Sequence, residues 1–138
     1  MTGNRPKMLA GMVAAIAAVP LGFVAVPAMA QASLAMLDTI GKGQWEIRFR
    51  DGEPTRKICL RTGRELIQIR HREAGCNRFV VEDGASQVTV QYTCRGNGYG
   101  RTNIRKETST LVQLEGQGIA GDKPFQFSAE ARRIGSCS

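Results

Sequence analysis

The sequence predicts a mainly β domain: an antiparallel meander, curled or barrel-like, with one short helix and two disulfides. Three observations lead there. Trp45, Ile47 and Phe49 alternate with Glu46, Arg48 and Arg50, the period-two pattern of a strand with one buried face. Similar runs follow at short intervals, separated by Gly- and Asp-containing turns that leave room for one short helix. Finally, four Cys stand in a 138-residue chain that opens like an export signal, and an even Cys count in an exported chain reads as a disulfide framework.

The length allows one small domain, and 42% apolar with 22% charged residues is the balance of a chain that folds rather than a disordered one. Arg5 and Lys7 precede a stretch from Met8 to Ala30 without a charged residue, interrupted by Pro20 and Pro27. It ends on Ala28, Met29 and Ala30, small residues at the two positions a signal peptidase grips. Residues 1–30 are therefore expected to be a signal peptide cleaved near Ala30, and residues 31–138 a single disulfide-bonded β domain in the periplasm or secreted. Retention as a membrane anchor is the rival reading, since the apolar run approaches the roughly 20 residues that span a bilayer. The Ala-x-Ala ending and the prolines favour cleavage, which leaves a mature protein that does not span a membrane.

Without Arg5 and Lys7 the chain keeps 17 cations, 13 of them Arg, against 12 acids. Arg presents a planar fork suited to carboxylate and phosphate, so an anionic envelope component is a conceivable partner. Most cations, however, alternate with acids, as in Glu46 and Arg48, Arg64 and Glu65, or Lys106 and Glu107, the arrangement of a solvated face.

Cys59, Cys76, Cys94 and Cys137 are separated by 16, 17 and 42 residues, with no C-x-x-C, and the chain has one His. No metal set and no cofactor motif is read from this. Three pairings are possible. Residues 78–82 and 87–93 form a predicted hairpin with Cys76 and Cys94 at its open ends, so Cys76–Cys94 with Cys59–Cys137 is the expected pairing. Chain entropy gives about 3 kcal/mol for the short loop and roughly 4.5 kcal/mol for the long one. The register is in tension: Cys76 opposite Cys94 sets Phe79 against Gln91, whereas Phe79 against Val90 and Val81 against Val88 shifts the cysteines by one. A β-bulge, or another connectivity, resolves it.

Along the chain, residues 31–40 are a short amphipathic stretch, a helical turn or an arm. Asp51, Gly52, Glu53 and Pro54 turn the Trp45 strand into a second strand at residues 56–60. Thr62 and Glu65 have the spacing of a capping box, which predicts a two-turn helix there. The run from Arg95 to Gly100, with three Gly, is no phosphate loop, because a strand at residues 101–107 follows it where such a loop needs a helix. Two further strands are expected at residues 110–115 and 125–131, around a Gly-rich turn.

Gly43-Gln44-Trp45-Glu46 at the first strand, Cys59-Leu60 before the helix, Cys76 and Cys94 around the hairpin, and the ending Arg133-Ile134-Gly135-Ser136-Cys137 together resemble a family of exported bacterial proteins known as domain of unknown function 3617. The resemblance covers nearly all of residues 31–138 and implies an exported, disulfide-bonded, mostly β domain, with no activity or ligand to carry over. The Gly-dense segment at residues 96–100 departs from the family's usual pattern.

Candidate chemistry is sparse. His71, between Arg70 and Arg72, reads as a surface residue at a helix end rather than a catalytic base, and Glu82 and Asp83 are adjacent rather than paired, so an enzyme is not expected. Trp45 and Tyr92 lie on apolar alternations and belong to the core, which leaves Tyr99 as the exposed aromatic. Nucleic acid is not expected as a partner of an exported chain. The leading expectation is a non-catalytic domain binding an anionic or apolar envelope ligand, with Arg95, Tyr99, Arg101 and Arg105 at the rim of its site. The alternative is a periplasmic protein-interaction or envelope-stability factor that docks a partner on an exposed strand edge. A closed apolar cavity would favour the first, a flat exposed strand the second.

Overall fold

The computed structural model describes residues 2–3 and 32–138; the expected signal peptide, but for residues 2–3, and its cleavage point at Ala30 lie outside the described residues. A short helix α1 (Ala35–Asp38) precedes strands β1 (Gly43–Phe49) and β2 (Arg56–Leu60), then a 3-10 turn (Arg64–Leu66). Strands β3 (Asn77–Asp83), β4 (Gln87–Cys94), β5 (Gly98–Thr108), β6 (Leu111–Ala120) and β7 (Lys123–Gly135) follow. All seven strands form one antiparallel sheet in the order β2-β1-β7-β6-β5-β4-β3.

The mainly β reading holds, with two disulfides and little helix. The barrel-like part does not. Strands β2 and β3 end the sheet without pairing to each other, so the sheet is open and not strongly curled. Closure is unnecessary because residues 61–76, together with α1, cover one face and bury the apolar side of each strand against themselves.

Period two decides which side chains are buried. Trp45, Ile47, Val88, Val90, Ile104, Val112, Leu114, Ala129 and Ala131 have no exposed surface, and Met36, Leu37, Ile40, Leu66, Ile67 and Ile69 pack onto them from above the sheet. Trp45 Nε1 donates to Gly41 O at 2.8 Å, so its one polar atom is satisfied within the core. Large and small residues alternate across the strands. A side chain on Gly100 would stand in the Tyr92 ring, and one on Gly116 in the Phe127 ring; both glycines face those aromatics directly in the ladder. The turn expected over the glycines near residue 116 is therefore strand. Their absent side chains give the rings of neighbouring strands a place to lie, and the reversal comes later, at Gly121 and Asp122.

The expected two-turn helix is a single 3-10 turn. Glu65 does what a capping box asks, accepting from Thr62 N at 3.2 Å and from Arg61 N at 3.1 Å. Burial pushes its carboxyl up, but the N–H groups of Glu65, Arg61 and Thr62 outweigh that and hold it below the usual range. Thr62 Oγ1, however, accepts from Arg64 N rather than from Glu65 N. Gly63 begins the turn at φ 78°, with Leu37 O where a side chain would go. From there the chain must bury Leu66, Ile67, Ile69 and His71 in turn, a spacing that one helix face does not supply.

Of the two readings of residues 31–40, the helical turn is the one found, at Ala35–Asp38. Leu34, at φ 55°, is the one non-Gly residue with positive φ among the described residues; its buried side chain and the bond from its N–H to Asp83 Oδ2 at 3.2 Å hold it there.

Both disulfides pair as expected, Cys59–Cys137 and Cys76–Cys94. The register conflict is resolved in favour of the cysteines: Phe79 faces Gln91 and Val80 faces Val90, and the bulge that follows at Val81 sets Glu82 against Thr89, away from the Val81–Val88 match rather than toward it. The bond wins over apolar matching, and Phe79 is left 70% exposed.

Candidate functional site

The face of the sheet opposite the core is uncovered among the described residues. By strand parity it carries Tyr99, Arg101, Asn103 and Arg105 from β5, Gln113, Glu115 and Gln117 from β6, and Gln126, Ser128 and Glu130 from β7. Across its middle runs an open concavity of about 900 Å³, lined by Glu82, Gln87, Thr89, Arg101, Asn103, Glu115, Gln117, Gln126 and Ser128, with Arg50 and Asp51 at the β1 end.

Part of this lining is already ordered. Thr89, 5% exposed, donates to Glu82 Oε2 at 3.1 Å and accepts from Asn103 Nδ2 at 2.8 Å, while Gln87 Nε2 donates to the same carboxylate at 3.0 Å. At the rim, hydrogen bonds from Arg132 and Gln113 hold the Glu130 carboxyl below its usual range.

The four expected rim residues separate. Tyr99, Arg101 and Arg105 share one face of β5 at two-residue spacing, as period two requires. Tyr99 is 47% exposed, and Thr93 and Ile119 are its ladder neighbours. Arg101 stands between Gln91 and Gln117, lines the concavity, and has no side-chain hydrogen bond or ion pair among the described residues. Arg105 is engaged with Glu107 Oε1 at 3.1 Å and does not line the concavity. Arg95 sits in the β4–β5 turn, exposed and off the strand face. Sequence reasoning missed the amide-bearing residues, Gln87, Asn103, Gln117 and Gln126, although each holds the polar position of an alternation.

His71 is not a surface residue. It has no exposed surface and uses both ring nitrogens: Nε2 lies 2.9 Å from Asn97 O and 3.1 Å from Ile119 O, and Nδ1 3.0 Å from Tyr92 Oη. Two carbonyl oxygens at Nε2 place the ring proton there, so Nδ1 accepts from Tyr92. Burial pushes the Tyr92 hydroxyl up to about 12, with the Glu73 charge adding to it, and the phenol stays a donor. The flanking cations misled because only the chain's turned path, not a helix, carries His71 into the core. The imidazole is a structural tie between residues 61–76, the β4–β5 turn and β6.

Its neighbour Arg70 is also tucked in. The guanidinium pairs with Glu53 and lies over the rings of Phe49, Phe125 and Phe127 at 5.4, 5.8 and 5.2 Å, closing that end of the core by cation–π attraction. Glu73, Cys76 and Cys94 bring three donor atoms within 4.8 Å of one another, but both sulfurs are spent in a disulfide, so the trio is not a ligand set in the oxidised protein. Among the described residues no helix is long and apolar enough to cross a membrane.

Searches of family models, curated proteins and solved structures match nothing, so the likeness to domain of unknown function 3617 rests on the residues that carry it.

Proposed function

We propose that the chain acts as an exported, non-catalytic binding domain that takes an anionic envelope component on the open face of its sheet, beside Tyr99 and Arg101. The carrying observation is Arg101, a guanidinium without an internal partner among the described residues, lining a concavity furnished with amides that can both donate and accept. A phosphate or carboxylate meets the Arg fork, and hydroxyls of the same ligand suit Gln117, Gln126 and Asn103. The concavity is open and lined by charged and amide side chains, which supports a polar rather than an apolar ligand; Glu82 and Glu115 line it too, so the anionic group of the ligand is assigned to Arg101 alone. That His71 is engaged throughout by the fold supports the non-catalytic part.

The test is binding to phosphatidylglycerol vesicles and to a uronate polysaccharide. Arg101→Ala is expected to weaken binding about tenfold, the equivalent of one charge-assisted hydrogen bond. Binding to neither probe, or binding indifferent to Arg101 and Tyr99, refutes the reading.

A second reading, a protein-interaction factor docking a partner at a strand edge, is favoured by β3. Six of its seven residues are exposed, Phe79 among them, and its outer edge pairs with no other strand among the described residues. Crosslinking in intact cells from a probe at Phe79 tests it, and capture of no protein counts against it.

A further inference from the structure

We infer that Cys59–Cys137 is a site of thiol–disulfide exchange, opened by a small or protein-borne thiolate of net negative charge, whereas Cys76–Cys94 opens more slowly to the same reagent. The inference is independent of the ligand reading and uses residues on another part of the molecule.

The two bonds differ in access and in charge. Cys137 is exposed, and Cys59 is half-buried on edge strand β2. The pair opens onto a depression of about 440 Å³ lined by Lys42, Arg61 and Arg133 and by no acidic residue. None of those three cations is in an ion pair among the described residues; Arg133 spends only its Nε, donating to Lys42 O at 2.7 Å. At Cys76–Cys94, Cys94 is 2% exposed and Cys76 is half-buried like Cys59, on a depression where Glu65 and Glu73 stand among Arg64, Arg72 and Arg78; a Glu73 carboxylate oxygen lies within 4.8 Å of both sulfurs. The Glu73 backbone N–H and Asn97 hold that carboxyl below its usual range, so it is charged wherever thiolates exist.

The attacking species in exchange is an anion, and a second anion leaves. Cations beside Cys59–Cys137 favour both events, by drawing in the thiolate and by stabilising the sulfur that departs. Beside Cys76–Cys94 the Glu73 charge opposes both. In the first step a thiolate RS⁻ attacks the exposed Cys137 Sγ, an R–S–S–Cys137 bond forms, the Cys59–Cys137 bond breaks, and its electron pair leaves on Cys59 as a thiolate facing Lys42 and Arg61. A second RS⁻ attacks the R sulfur of the mixed disulfide, giving RSSR and a Cys137 thiolate. Each thiolate takes a proton from water, and two electrons have passed from the thiol reagent to the protein.

The sheet survives the exchange. Cys59 faces Gln44 on β1, and Gln44 faces Gly135 at the end of β7, so the bond ties a chain end across strands already joined by ladder hydrogen bonds. Opening it loosens edge strand β2 and the residues around Cys137, while Cys76–Cys94 still closes the β3–β4 hairpin.

The experiment treats the protein, with both disulfides formed, with mercaptoacetate and separately with cysteamine. Alkylation and peptide mass spectrometry then give the opening rate of each bond. The ratio of the two bonds' rates under one reagent cancels that reagent's intrinsic nucleophilicity. Cys59–Cys137 is expected to open first with both. The ratio is expected to be about tenfold larger with mercaptoacetate, whose carboxylate is attracted by three cations on one side and repelled by Glu73 on the other, and to shrink as salt is raised. Lys42→Gln with Arg61→Gln, both surface changes, should bring the ratios for the two reagents closer together, with Arg133 and Glu73 sustaining the remaining difference, while Trp45 fluorescence stays unchanged. Cys76–Cys94 opening first, both bonds opening together, or a ratio indifferent to the charge of the thiol overturns the inference.

Discussion

Replacing His71 by Ala should destabilise the protein by about 3–6 kcal/mol, far more than a surface position allows. The ring is fully buried and holds three partners, Tyr92 Oη, Asn97 O and Ile119 O. Truncation leaves a cavity against the Tyr92 and Phe125 rings, 5.2 and 5.9 Å away between centroids, a loss of about 2–3 kcal/mol by analogy with other large-to-small core changes. It also strands at least one buried polar group, which adds about 1–3 kcal/mol. His71→Gln separates the two effects, because an amide nitrogen can still donate where Nε2 does while the acceptor for Tyr92 is lost; it should recover roughly half of the loss. Urea unfolding with both disulfides intact, followed by the fluorescence of the single buried Trp45, measures each step. A His71→Ala loss below about 1 kcal/mol, the range of an exposed side chain, would refute the buried, bonded imidazole and return His71 to the surface.

Gly100→Ala and Gly116→Ala should each destabilise by about 1–3 kcal/mol by driving a methyl into the Tyr92 or Phe127 ring; pairing Gly116→Ala with Phe127→Leu should lose less than the sum, which thermal unfolding of the double variant checks. Tyr92 gives the protein an alkaline limit. Its hydroxyl is raised from 10.0 to about 12 in the fold, so the stability tied to the protonated phenol is complete below pH 10 and is lost as pH rises toward 12, by about 2 kcal/mol. Tyr92→Phe should flatten that part of the profile, measured as urea midpoint against pH. Phe79→Ser should change stability by less than about 0.5 kcal/mol, since the side chain is 70% exposed; a loss above about 2 kcal/mol in urea would mean that the hairpin takes the register in which Phe79 meets Val90.

Where one residue class dominated a local pattern, the sequence was enough to place it. Trp45, Ile47 and Phe49 announced β1 because alternation with charge leaves one way to bury them, and the hairpin of β1 and β2 followed from Asp51 and Gly52 between two such runs. Both disulfides followed from the position of Cys76 and Cys94 at the ends of a predicted hairpin. The failures share a cause, which is that the decisive neighbour lies on another strand. Gly116 reads locally as a turn residue, and only the Phe127 ring across the ladder makes it a strand residue. The capping box at Thr62 and Glu65 is half formed, and the helix it promised yields to the need to bury Ile67, Ile69 and His71 over the sheet. Of the candidate rim, Tyr99, Arg101 and Arg105 come to one face because they share a strand, whereas Arg95 belongs to a turn whose geometry no periodicity describes.

The two faces of the sheet also constrain where binding can occur. All the apolar side chains that face the core do so under α1 and residues 61–76, and that side offers no closed apolar chamber among the described residues. Accessible surfaces include the amide-lined outer face, the β3 edge, the basic depression at Cys59–Cys137 and a larger one beside Arg64, Arg72 and Arg78. The β3 edge is informative because its exposure is not what apolar matching alone would select: pairing Phe79 with Val90 and Val81 with Val88 would bury more hydrocarbon, at about 25 cal/mol per Å². That register would carry Cys76 one residue out of line with Cys94. A loop closed by the bond stabilises by about 3 kcal/mol, comparable with the gain from burying one Phe, and it fixes a geometry that hydrophobic pairing leaves free to slip. The bulge at Val81 does not recover the apolar match, because it slips the pairing the other way and sets Asp83 opposite Val88, so Phe79 stays turned out beside Gln91 and Arg101, on the same face as the concavity. The cross-link that defines the hairpin is thus also what places an exposed aromatic on the outer face of the sheet.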